Sequence, residues 1–232
     1  MSTETALWAV IPALDEEETI EAVVADVRAQ VDGVLVVDNG SADETAQRAA
    51  RAGARVVAEP RRGYGRACLA GARAAPAGCV LVYCDADGSD DPQALRRVAA
   101  PVLAGRADLV GGSRARGRQQ PGSQLRHQRL ANWLFAAAIR RGWRVAVTDL
   151  GPMRALRRET LLELEMQSQT YGWPIELLLK AARRGLTVDE VAVDLRVRAG
   201  GRSKVSGSLR ASLRAGLCFT RALIVYGLGR QR

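Results

Sequence analysis

Through the first half of the chain, short apolar runs alternate with polar stretches of helical period. Leu7 to Ile11 (LWAVI) reads as a strand, followed by a helix over about Glu17 to Ala29. Val34 to Val37 (VLVV) predicts a second strand and Ala42 to Ala52 a helix. Arg55 to Ala58 predicts a third strand and Gly65 to Ala74 another helix. Cys79 to Cys84 (CVLVYC) is apolar without a break, as in a strand covered on both faces. Asp91 and Pro92 suit the cap and first position of a helix through about Leu103, and Leu109 to Gly111 predicts a fifth strand. This repetition predicts an α/β fold with a mostly parallel central sheet and helices on both faces.

The second half is less regular. Gly111 to Arg129 is rich in Gly, Ser, Gln and Arg and reads as a loop. Helices are expected over about Gln128 to Arg141 and over Trp173 to Arg184, with a turn at Thr148 to Arg154 between them. Val188 to Val197 alternates like an exposed strand. No linker or repeat divides the chain, so residues 1–206 are expected to form one catalytic body, with 207–232 as a basic amphipathic tail. Leu209, Leu213 and Leu217 fall at helical spacing there, with Arg210, Arg214 and Arg221 elsewhere on the turn. Such a helix either packs its leucines on the body or rests on an anionic membrane, and both can hold at once.

Charge and composition narrow the classes. The 232 residues carry a net charge of +9, almost all from arginine, with Lys180 and Lys204 the only lysines. A GC-rich genome explains that bias as well as a functional basic surface does. Cys68, Cys79, Cys84 and Cys218 lack metal-ligand spacing and read as free thiols of a reducing compartment. No secretory signal or membrane-spanning run is evident, so a cytoplasmic location is expected, including the inner face of the membrane.

In sheets of this kind ligands gather beyond the carboxyl ends of the strands, and three polar clusters lie at such ends here. They are Pro12 to Glu17, Asp38 to Asp43, and Asp85-Ala86-Asp87. Asp15, Ser41 and Asp43 also suit ordinary helix starts. Asp85 and Asp87, alternate carboxylates leaving a strand, are suited to a hard divalent ion, Mg²⁺ or Mn²⁺. A calcium loop fails because Asp90 stands at its turn glycine and Arg96 at its closing glutamate.

The segments VIPALDEEETI, VVDNGSADETA, RGYGRACLAG, YCDADGSDDP and LVGGSR, in this order, resemble the GT-A glycosyltransferases of family 2. The closer similarity is to the dolichyl-phosphate mannose synthase-like branch, which TDLGPMRAL, YGWPIELLLKAARRG and GGRSKVSG also resemble. The resemblance implies a GT-A fold and transfer of a hexose from a GDP- or UDP-sugar to polyprenyl or dolichyl phosphate, with an inverting outcome. It implies a donor site of Pro12, Leu14, Glu16, Asp38, Gly63, Arg66, Asp85 and Ala86, with Asp85 and Asp87 on the metal and Arg202, Ser203 and Lys204 closing over phosphates. Asp149 matches an acid near the transferred sugar and is the candidate base for a hydroxyl acceptor. A lipid phosphate would need no base, and Arg114, Arg126 and Arg129 are the candidates to hold it. His127 reads as structural.

Asp15 and Leu14 depart from the usual Asn and aromatic of the family, which leaves the base of the donor open. Other readings remain: a small soluble acceptor, a nucleotidyltransferase, or a basic nucleic-acid-binding protein. The last conflicts with acids at three strand ends, so no nucleic-acid partner is expected. A homodimer is compatible with the sequence.

Overall fold

The computed structural model describes residues 5–200 and 209–228. Seven strands form one sheet: β1 (Leu7–Ala13), β2 (Gly33–Asp38), β3 (Arg55–Ala58), β4 (Val80–Tyr83), β5 (Leu109–Ser113), β6 (Arg154–Arg157) and β7 (Val188–Ala192), in the order β3-β2-β1-β4-β6-β5-β7. All neighbours are parallel except β6, which runs antiparallel to both β4 and β5. The helices are α1 (Ile20–Arg28), α2 (Thr45–Arg51), α3 (Tyr64–Ala74), α4 (Ala94–Leu103), α5 (Arg126–Trp143), α6 (Arg158–Glu163), α7 (Trp173–Arg183) and α8 (Leu209–Ala222), the last running into a π-helical turn, Leu223–Leu228.

The unbroken apolar run of β4 follows from two-sided burial. Its pleat sends Val80 and Val82 into a core with Val23, Val27, Leu95 and Val98 from α1 and α4. Leu81 and Tyr83 point the other way, onto Cys68, Ile139, Ile175 and Leu179 from α3, α5 and α7. Gly71 lets α3 lie directly on β1, since a Cβ there would collide with the Val10 side chain.

Three expectations change. β6 begins at Arg154, the last residue of the expected turn, and with α6 it occupies a stretch for which the sequence pattern predicts no element. β7 stops at Ala192, and residues 193–200 leave the sheet. α4 begins at Ala94, later than expected; Asp91 starts the turn that leads into it, its Oδ1 accepting from the Gln93 amide (3.4 Å) while its carboxylate also pairs with Arg196 at 2.7 Å and Arg97 at 3.6 Å. The expected segment Arg202 to Lys204 lies outside the described residues.

Candidate active site

Pairing in register brings the ends of β1, β2 and β4 to one edge, and the loops that follow are tied together. The Asp15 amide donates to Ser41 Oγ (3.0 Å), and Asp15 Oδ1 accepts from the Ala42 amide (2.8 Å). The Glu16 amide donates to Thr45 Oγ1 at 2.8 Å. Asp15 and Ser41 are thus cross-links rather than helix caps, whereas Asp43 does accept from the Thr45 amide at the start of α2 (3.0 Å). Asn39, unassigned in the sequence, clamps the segment before α3. Its Nδ2 donates to the Glu59 and Arg61 carbonyls, and its Oδ1 accepts from the Gly63 amide at 2.7 Å. Gly63 and Gly65 are glycines because the carbonyls of Gln169 and Ser168 pass where their Cβ atoms would sit.

Beyond these loops opens a cleft of about 800 Å³. Of the expected donor residues, Pro12, Leu14, Glu16, Asp85 and Ala86 line it, and so does Asp87. Asp38, Gly63 and Arg66 do not. Asp38 accepts from the Ser41 amide (3.2 Å), and Arg66 donates its side chain to Gln169.

The acids after β4 are crowded in a way that folding alone does not reward. The Asp85 amide donates to Asp90 Oδ2 (2.9 Å), while Asp87 Oδ1 accepts from the Ser89 amide (2.9 Å) and hydroxyl (2.6 Å). Burial, then the charges of Asp90 and Asp87, push Asp85 well above the usual carboxylate range. Burial likewise lifts Asp90 to about 6. Asp90 therefore belongs to the cluster. Among the described residues no three His, Cys, Asp or Glu side chains could hold a metal by themselves.

Asp149 has a different place from that of a free base. Arg114 donates to it from its amide (2.7 Å), from Nε (2.7 Å) and from Nη2 (2.8 Å), so that both carboxylate oxygens are occupied. Burial alone would raise Asp149, but the Arg114 charge and hydrogen bonds outweigh it and hold the carboxyl below its ordinary value. Asp149 does not line the cleft; Arg114 does. From below, Glu190 on β7 accepts from the Thr148 amide (2.7 Å) and hydroxyl (2.6 Å), fixing this loop.

Arg126 and Arg129 do not line the cleft either. They lie exposed on α5, which turns His127, Gln128, Ala131, Asn132 and Phe135 toward it. Two arginines that sequence reading missed are there instead. Arg154 is buried on β6, donating to the carbonyls of Pro152 (3.1 Å) and Gly151 and lying 5.6 Å over the Trp173 ring. Arg198 reaches Glu16 from beyond β7, at 2.7 and 2.8 Å. Both stand inside or beside segments that resemble the family, TDLGPMR and GGRSK, but composition and spacing do not show which arginines face inward.

Residues 8–164 match the model described as glycosyl transferase family 2. An uncharacterised glycosyltransferase of Mycobacterium tuberculosis is 44% identical over 94% of this chain and 98% of its own. The polyprenol monophosphomannose synthase of Mycolicibacterium smegmatis is 34% identical over 86% of this chain and 80% of its own. Among solved structures, the glucosyl-3-phosphoglycerate synthase of Mycobacterium tuberculosis, in complex with Mn²⁺, UDP-glucose and phosphoglyceric acid, superposes with a TM-score of 0.80. It is 25% identical, and the match covers 98% of this chain and 81% of that one. The fold is the GT-A fold expected from the sequence.

Proposed function

The chain belongs to glycosyl transferase family 2, and from that premise we propose that it transfers a hexose from a UDP- or GDP-sugar to the phosphate of a polyprenyl phosphate. The observation that carries this reading is the shape of the cleft. One continuous space joins the acids of β4 and Arg114 to an apolar lobe between α5 and α8, lined by Ala131, Phe135, Leu217 and Phe219. A diphosphate-sugar suits the first end and an isoprenoid chain the second.

The donor set fits a hard divalent ion. Its oxygens are carboxylates whose mutual repulsion a cation would relieve, and diphosphate oxygens would complete the shell that the protein leaves open. Asp85 and Asp87 would hold Mg²⁺ or Mn²⁺, whose charge would stabilise the departing diphosphate. Pro12, Leu14 and Glu16 would border the nucleotide. Arg114 would bind the acceptor phosphate, with Asp149 as the residue that orients it rather than as a base. The acceptor oxygen forms the new bond to the anomeric carbon as the bond to the diphosphate breaks. A phosphate acceptor is already anionic, so no proton has to be removed, and this agrees with an Asp149 whose oxygens are both engaged.

Incubation of the protein with Mn²⁺, each common UDP- or GDP-hexose and undecaprenyl phosphate should yield a sugar-phosphate lipid. Product only with soluble phosphorylated acceptors such as 3-phosphoglycerate would favour the soluble-acceptor reading, which the superposed synthase makes the second choice. Hexosyl product with neither would count against the reading as a whole.

The same helices supply a membrane-facing surface in this proposal. Leu130, Trp133 and Leu134 on α5, and Leu217, Ile224 and Val225 at the end of the chain, are about half or more exposed. Arg126, Arg129, Arg140, Arg141 and Arg221 accompany them, and neither helix contains an acidic residue. Among the described residues no helix is long and apolar enough to cross a membrane. Peripheral contact would put the apolar lobe beside the lipid. Wild-type protein should sediment with vesicles containing phosphatidylglycerol, and Trp133→Ser with Leu134→Ser should weaken that binding by roughly tenfold or more. Equal binding of the double variant would show that α5 is not the contact.

A further inference from the structure

Residues 193–200 run along the acidic loop after β4. Leu195 makes an antiparallel bridge with Asp90, the Arg196 amide donates to the Ser89 carbonyl (2.9 Å), and the Ala199 amide donates to the Asp87 carbonyl (3.1 Å). This pairing delivers Arg198 into the cleft. Its Nη2 spans both oxygens of Glu16, at 2.7 and 2.8 Å, and its Nε donates to the Gly200 carbonyl at 2.6 Å. The remaining arm, Nη1, lies 3.4 Å from Asp87 Oδ2.

The two oxygens of Asp87 are not equivalent. Oδ1 is occupied by the Ser89 amide and hydroxyl, so Oδ2 is the oxygen left for an outside ligand, and it faces the guanidinium. The Arg198 contacts are tight on Glu16 and Gly200 and long on Asp87. The group is therefore anchored at one side and exchangeable at the other.

We infer that Arg198 is the internal counter-ion of the metal site, pairing with Asp87 until a divalent cation takes its place, and so sets how strongly the site holds that cation without nucleotide. The inference rests on the metal reading above. A cation reaching Asp87 Oδ2 meets a fixed positive charge a few ångström away. The wild-type site should thus bind the bare ion weakly. A nucleoside diphosphate brings the negative charge that both cations lack, which makes metal and nucleotide bind cooperatively, each strengthening the other by the same factor. Glu16 and Gly200 can keep the guanidinium at the cleft while its third arm turns from Asp87 to a phosphate oxygen.

The test is Mn²⁺ binding to the full chain, followed by electron paramagnetic resonance of the free ion, first alone and then with UDP or GDP. Arg198→Gln should bind Mn²⁺ alone roughly three- to tenfold more tightly than the wild type, the size expected of one partly screened unit charge. It should lose a similar factor of the nucleotide-induced strengthening. Arg198→Lys, which keeps the charge, should stay close to the wild type. Circular dichroism and thermal melting establish that each variant is folded.

Unchanged or weaker Mn²⁺ binding by folded Arg198→Gln would overturn the role of Arg198 while leaving the metal reading intact. So would tightening by Arg198→Lys as large as that by Arg198→Gln. Wild-type protein that takes up no Mn²⁺ even with UDP and GDP present would instead overturn the metal reading itself.

Discussion

Asp87→Asn is expected to lower turnover by roughly 10²–10³-fold or more, the scale on which removing a transition-state electrostatic partner acts. The metal-dependent part of any thermal shift with UDP or GDP should vanish with it. The substitution keeps the shape of the side chain and an oxygen for the Ser89 amide and hydroxyl, so the loop after β4 should survive. Its effect on stability has the opposite sign from its effect on activity. Asp85 and Asp90 are raised above their ordinary values, partly by the Asp87 charge, so ionising them costs the folded state stability as pH rises through that range. Removing one of the three charges relieves part of that cost. Without metal near neutral pH, the variant should therefore melt no lower than the wild type. Full activity, or a full metal-dependent shift, would show that the wrong carboxylate has been assigned.

Arg114→Met should cost about 3–5 kcal/mol of folding stability at pH 7, because it leaves the Asp149 carboxylate buried without its cation. The Asp149 side chain is 1% exposed and that of Arg114 17%, so solvent does little to soften the loss. The pH dependence identifies the mechanism. In the wild type the folded pKa of Asp149 is depressed, so the pair contributes stability that is present above the unfolded value near 4 and lost as pH falls through the folded value. In the variant the backbone amide of residue 114 and Asn132 still donate to Asp149, but the guanidinium charge and side-chain bonds that offset burial are gone, so its carboxyl should move up. The deficit should then be largest at neutral pH and shrink toward pH 4. Urea unfolding of both proteins at pH 4 and pH 7 measures this; a deficit independent of pH would mean that lost packing, not the stranded charge, is responsible.

Both expectations concern acids that are conspicuous in the sequence, yet only Asp87 lines the cleft, while Asp149 lies outside its lining and is bonded to Arg114. Asp85 and Asp87 are legible because two acids follow directly on an unbroken apolar run, in the loop where such a strand delivers its chain to the sheet edge. Asp149 is different. Whether a carboxylate is a base or the partner of an arginine depends on what lies within about 3 Å of it, and Arg114 is 35 residues away. The same limit hid Arg154 and Arg198. In a chain with so much arginine, no local pattern separates a guanidinium held in the cleft from one in water. Nor does a local pattern show that Arg126 and Arg129 follow the helical turn outward, leaving Gln128, Ala131 and Phe135 to line the cleft.

The strands tell the same story. β1, β2 and β4 announce themselves because burial on both faces requires uninterrupted apolar residues. β6, with the sequence RALR, carries no such signal, since its ends are charged and it is a strand only because β4 and β5 hold it on either side. The sequence by itself determined the alternation of strand and helix, the polar edge where the parallel strands end, and the pair of acids that leaves β4, because each rests on the period of its own segment. Tertiary structure alone decided which arginines line the cleft, what Asp149 pairs with, and that an apolar lobe between α5 and α8 adjoins the acids. Those depend on contacts between distant segments, and a contact exists only once both sides have been brought to the same place.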